Sequence, residues 1–194
     1  MGNIFSKYFL SDFISSFRKG LMNEVDKLEI TDTVNIGHLK KRLQAKYTIQ
    51  PLVLKDAIPS APIESHEDRP DLFGRGTFKM KVFKINVTIP FDGNHELFYC
   101  SPSTSFMVSL PESARINSNN VSATIILEEL DTNKYNQKVE AIISVLSSNL
   151  PRINAEIAPW NNAIGNYIEQ LIEQRKGLVS KKFDFMEKIG LKVN

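Results

Sequence analysis

Cysteine is almost absent from this chain. Cys100 is alone among 194 residues, so no internal disulfide can brace the fold, and a reducing, cytosolic setting is expected. The triplets Asn86-Val87-Thr88 and Asn120-Val121-Ser122 then carry no meaning as glycosylation acceptors. Histidine is equally sparse: His38, His66 and His95 lie far apart, and no CxxC, HExxH or HxxxH spacing accompanies them. A metal site has no local support, and no cofactor is expected. An excess of one charge is missing too. The 24 basic and 22 acidic residues leave a net charge of +2, too balanced to imply nucleic acid or an anionic membrane by itself.

No run approaches the roughly 18 to 20 apolar residues that cross a bilayer, and no basic segment followed by an apolar one marks a signal peptide. Met1-Gly2-Asn3-Ile4-Phe5-Ser6 satisfies the N-myristoylation template, but Asn3 and Ser6 read more simply as the start of a helix. The Ser, P-loop and dinucleotide signatures GxSxG, GxxxxGK[ST] and GxGxxG are absent, and Gly74-Arg75-Gly76 is too short of glycine to cradle phosphates. No lysine has Asp or Glu two positions upstream, which a restriction-endonuclease strand requires so that both side chains reach one metal-bound water. No catalytic residue is nominated, and the chain is not expected to be an enzyme.

What is present is a long apolar seam: Val139, Ile143, Leu146, Leu150, Ile153, Ile157, Trp160, Ile164, Tyr167 and Leu171. Steps of four and three alternate throughout, the 3.5-residue period of a helix facing another helix. Pro151 and Pro159 interrupt the helix without shifting the phase, which predicts kinks or a short break. Asn149 is placed to cap a restart, and Asp131 or Thr132 to cap the entry. The seam's partner is either the first helix of the same chain or a second copy, so a homodimer or larger complex is one expectation. Beyond Leu171 the strict seam ends, and Arg175 to Asn194 is where another domain or subunit would attach.

Upstream, a broad stripe from Phe5 to Leu28 predicts a first helix over about Ile4 to Leu28, its five early aromatics read as core. Thr31-Asp32-Thr33 would cap a second helix ending near Tyr47. Pro51 to Leu54 is extended, and Ala57 to Gly76 reads as a polar loop with three prolines. Period-two alternation then begins. Phe78, Met80 and Val82 give way to Phe83, Ile85, Val87 and Ile89 on the opposite parity, which predicts a β-bulge. Asp92-Gly93-Asn94 turns the chain, and Leu97–Cys100, Phe106–Leu110 and Val121–Leu130 complete about four strands.

The expected fold is α+β: a small antiparallel β-meander packed with an N-terminal helix and a long kinked C-terminal helix. Residues 1–131 would hold the N-terminal helices and the sheet, and residues 132–194 the helical region, as one domain with a helical extension. Two basic groups, Lys40-Lys41-Arg42 and Lys79, Lys81, Lys84, are candidates for contact with nucleic acid. The competing reading makes them a solvated helix and a strand protected from aggregation.

Val87-Thr88-Ile89-Pro90-Phe91-Asp92-Gly93-Asn94-His95-Glu96-Leu97-Phe98, followed by Ser101-Pro102-Ser103, resembles an "IPF-x-G-x-x-x-LF … PS" hairpin. That hairpin belongs to the non-catalytic N-terminal region of prokaryotic proteins with a C-terminal restriction-endonuclease-like domain of the PD-(D/E)XK class. Trp160-Asn161-Asn162, Arg175-Lys176-Gly177-Leu178 and Ile189-Gly190-Leu191 are similar to elements of the long helix that follows it, and Tyr47-Thr48-Ile49-Gln50-Pro51-Leu52-Val53-Leu54 to an extended piece before it. The resemblance implies a regulatory, sensing or assembly module of antiviral defence, cytoplasmic and not membrane-bound. It would act through protein–protein contacts with a nuclease domain or subunit. A nucleic-acid-binding module is the alternative.

Overall fold

The computed structural model describes residues 3–30, 34–71, 76–104, 108–111 and 113–190. Met1 and Gly2, the triplet Thr31-Asp32-Thr33, Gly74 and Arg75, the beginning of the Phe106 strand and Leu191 lie outside them. The fold is α+β, with an antiparallel sheet, an N-terminal helix and a long bent C-terminal helix. In chain order the elements are β1 (Asn3–Ile4), β2 (Tyr8–Phe9), α1 (Leu10–Asp26), α2 (Ile36–Tyr47), β3 (Val53–Leu54), β4 (Ile58–Pro59), β5 (Ile63–Pro70) and β6 (Thr77–Asp92). A 3-10 helix (His95–Tyr99) follows, then β7 (Cys100–Ser101), β8 (Val108–Ser109), β9 (Ala114–Ile116), β10 (Asn120–Leu127), α3 (Thr132–Ser147) and α4 (Leu150–Lys188).

The chain does not divide at residue 131. One compact unit comprises Met1–Phe9 with Gln50–Asn154, and the other Leu10–Ile49 with Ala155–Asn194. Helices from both ends of the sequence build the second unit, a pairing that composition along the chain does not reveal.

In the first unit, β6 is the spine. On one side it pairs with β10, so that Ile85, Val87 and Ile89 sit opposite Ile125, Ala123 and Val121. All six are buried, and burial of each large apolar side chain contributes about 1.5–3 kcal/mol. On the other face the alternation places polar groups, where Thr124 Oγ1 donates to Asn86 Oδ1 at 2.9 Å. On its second side β6 pairs in turn with β3, β4 and β5. The expected loop Ala57–Gly76 is therefore largely strand. Prolines 59 and 62 break this outer arm into pieces but do not detach it.

The bulge expected within β6 is not there: its ladder with β5 runs unbroken across Val82 and Phe83, and its ladder with β10 runs unbroken from Phe83 to Pro90. The extra residues lie in the outer arm. Val53, Ile58 and Ile63 face Asp92, Thr88 and Lys84, five residues of the arm for four of β6 at each step. Bulges at a sheet edge absorb proline and blunt the edge. The parity change in β6 is a change in which face is covered along one long strand.

Leu97–Cys100 is not the returning strand of a hairpin. Asn94 accepts from the Glu96 N–H at 3.0 Å and starts the 3-10 helix, which buries Leu97 and Phe98. The first helix likewise begins six residues later than expected, at Leu10. Phe5 N–H donates to Phe98 O at 2.7 Å and Lys7 N–H to Tyr99 O at 2.9 Å, tying the preceding residues to the 3-10 helix instead of to a helix of their own. β1 pairs antiparallel with β8 and β2 parallel with β7. These are two small sheets apart from the six-stranded one, in which β10 lies between β6 and β9.

α3 starts as expected: Asp131 accepts from the N–H groups of Asn133 and Lys134 at 2.8 and 3.2 Å. It ends at Ser147, and after the buried Asn149 the chain restarts as α4, the Asn149 carbonyl accepting from the Ile153 N–H. Pro151 lies in the first turn of α4, where no helical partner is lost. Pro159 lies inside, and α4 is bent by 31°.

In the second unit, α2 is capped by Asn35, whose side chain accepts from the His38 N–H at 3.0 Å. Glu24 of α1 accepts from Lys46 at 2.6 Å and from the Tyr47 hydroxyl at 2.7 Å, with Arg42 at 3.3 Å. Its carboxyl is held below the usual carboxylate range, first by the Lys46 hydrogen bond and then by that of Tyr47. Arg175 of α4 donates through Nε to Leu28 O at 2.7 Å. Among the described residues no helix is long and apolar enough to cross a membrane.

Candidate functional site

The apolar seam lies within the chain's own packing. Val139, Leu146, Leu150, Ile153, Ile157, Trp160 and Ile164 are buried, and Ile143, Tyr167 and Leu171 are half-buried. None is exposed. After Ile164 the buried track passes to Ile168, Ile172 and Val179. Steps of four carry it away from the 3.5-residue seam, as on a helix that does not supercoil. Most of the seam is therefore core, with Leu171 partly open at its distal end.

Two of the singled-out motifs meet. Trp160 Nε1 donates to Tyr47 O at 2.9 Å, and Arg18 stacks over the Trp160 and Tyr167 rings at 5.7 and 5.8 Å. Asn161 Oδ1 accepts from Ile49 N–H at 2.9 Å while its Nδ2 donates to Ile49 O at 2.8 Å. Asn154 holds Leu52 the same way, at 3.1 and 2.9 Å. A carboxamide carries one acceptor and two donors, so it can replace the strand partner that an extended residue needs. The Trp-Asn element and the Tyr47–Leu54 piece thus have a structural purpose. Asn154 has no sequence signal beyond lying seven residues before Asn161.

The basic groups are largely spoken for. Lys40 pairs with Glu169 and Arg42 with Glu24. On the sheet, Lys81 meets Glu64 at 2.9 Å, Lys84 approaches Glu67 at 3.9 Å, and Lys79 lies opposite Asp68 in the register. The acidic run that looked like a loop is the counter-charge of the lysine stripe. Lys40–Arg42 and Lys79–Lys84 belong to different units.

An apolar surface does open at the distal end of α4. Leu178, Phe185 and Ile189 are 58%, 61% and 54% exposed. With Leu171 they follow steps of seven, seven and four, so they share one face beside the buried track of Val179. Leu178 and Phe185 continue the seam's seven-residue period from Leu171, while Gln174, Lys181 and Lys188 take its other positions and hide it. Elsewhere, a cleft of about 340 Å³ in the first unit is lined by Pro59, Pro62, Ile85, Leu127, Leu130 and Tyr135. Its one carboxylate, Asp131, is already engaged in capping α3. Cys100 is buried, and desolvation followed by the Glu96 charge pushes its thiol up to about 12, so it is an inert core residue. The described residues hold no cluster of three or more metal-ligating side chains.

Comparison with protein-family models, with curated proteins and with solved structures finds no match to this chain.

Proposed function

We propose that this chain is a non-catalytic regulatory, sensing or assembly module of a prokaryotic defence system, working in the cytoplasm through protein–protein contacts. The observation that carries the interaction part is the exposed apolar face of Leu178, Phe185 and Ile189 near the distal end of α4. Exposed large apolar side chains that share one helix face suit a contact surface. The link to defence comes from the sequence motifs at residues 87–103 and in the long helix, which resemble the N-terminal regions of restriction-endonuclease-like proteins, although Leu97–Cys100 does not form the hairpin strand. Nucleic-acid binding ranks second, because Lys40, Arg42, Lys81 and Lys84 are paired with carboxylates of the same chain.

Phage plating on the native host tests the defence role. Deleting the gene should raise plating efficiency at least about tenfold, and the wild-type gene supplied in trans should restore protection. Equal plating on deleted and complemented strains would contradict it.

A further inference from the structure

The distal part of α4 combines its apolar face with an excess of positive charge. Between Arg175 and Gly190 lie five basic side chains and two acidic ones, in a chain whose net charge is only +2. Lys181 and Lys182 follow Leu178 by three and four residues, and Lys188 follows Phe185 by three. These are the positions that border or enter the seam when Leu178 and Phe185 face another helix. Among the described residues, none of the three lysines has an ion pair within 4.0 Å, unlike Lys40, Lys46, Lys55, Lys81, Lys84 and Lys134.

Pairing with a second copy would bring two such stretches together, each with five basic side chains against two carboxylates, Asp184 and Glu187, so the lysines of one copy would meet more positive than negative charge on the other. That arrangement opposes like charge at a cost. A helix with apolar residues at heptad spacing and glutamates or aspartates beside them meets both features at once. From Leu171 to Ile189 the face is about 27 Å long, room for two to three heptads of a partner.

We propose that the stripe Leu171, Leu178, Phe185 and Ile189, with Lys181, Lys182 and Lys188, docks an acidic amphipathic helix of a different protein. This rests on the interaction-module reading and names its partner's chemistry. The apolar side chains supply affinity, and the lysines supply choice of partner and its orientation.

The test uses the full chain and two synthetic three-heptad helices with identical Leu seams, one flanked by Glu and one by Lys. The readout is fluorescence anisotropy. The Glu peptide should bind at least about tenfold more tightly than the Lys peptide, and more weakly as salt rises. K181E/K182E/K188E should reverse the preference, and L178D/F185D should abolish binding of both, with helix content by circular dichroism unchanged in each variant. Equal binding of the two peptides, no binding of either, or tighter binding of anionic phosphatidylglycerol vesicles or a duplex DNA would overturn the proposal. If the peptides fail while L178D/F185D still releases the chain from an assembly in its host, the partner chemistry is wrong and the interaction module stands. If neither responds, both fall.

Discussion

Asn161 grips Ile49 by both of its main-chain groups, accepting from the N–H at 2.9 Å and donating to the carbonyl at 2.8 Å. Ile49 is fully buried, so water cannot replace either bond. Asn161→Ala should therefore destabilise the protein by about 2–4 kcal/mol, the cost of two buried polar groups left unsatisfied. Asn162→Ala, at an exposed neighbour, should cost under about 0.5 kcal/mol. Urea midpoints for the two variants decide it, and equal midpoints would remove the clamp from the account.

Glu24 gives a pH signature. Its folded pKa lies below the ordinary value of 4.5 because of Lys46 and then Tyr47. The carboxylate's contribution is thus fully present above the unfolded pKa and is lost as pH falls through the lower folded one. Glu24→Gln should lower the melting temperature by a constant amount around neutral pH, and the gap should close as pH falls below about 4.5. A gap that is the same at neutral and acid pH would show that the charge of Glu24 is not what stabilises α1 against α2.

Gly93 adopts φ +105°, and a Cβ there would run into the carbonyl of Pro51. Both the conformation and the close approach demand glycine. Gly93→Ala should cost about 3 kcal/mol or more, since strain and a backbone clash add. Gly76→Ala meets no atom within 4 Å and is the matched control. Thermal melts showing the same small loss for both would contradict the turn geometry.

The lysine stripe should not bind DNA. With Lys81 and Lys84 facing Glu64 and Glu67, duplex affinity at physiological salt should be no tighter than the non-specific range, roughly 10⁻⁴ to 10⁻⁶ M. K79A/K81A/K84A should leave it unchanged. Tighter binding with a steep salt slope, lost in the triple variant, would restore the nucleic-acid reading.

What the sequence made legible were features with a period or a cap. The strands near β6 and β10, the Asp131 cap and the apolar track through Ile153, Ile157 and Ile164 were legible because each is local, although the parity change in β6 read as a bulge that is not there. β5 was illegible: Glu64-Ser65-His66-Glu67-Asp68 is polar on both faces, and its strand is held by the main-chain ladder and by lysines in β6. The Leu97-Phe98-Tyr99 run looked like a strand until Asn94 turned it into a 3-10 helix. The unit formed by Leu10–Ile49 and Ala155–Asn194 depends on contacts over a hundred residues apart, such as Trp160 with Tyr47. No window of the sequence shows such a contact.

The central claim is that the distal face of α4 joins this chain to a partner. The direct measurement is sedimentation of the epitope-tagged chain, expressed at its native level, in host extract. Wild type should travel in an assembly larger than its 22.0 kDa mass, and L178D/F185D should shift to the monomer position with its urea midpoint unchanged. Wild type and variant travelling together, as monomers or in the same assembly, would contradict the account.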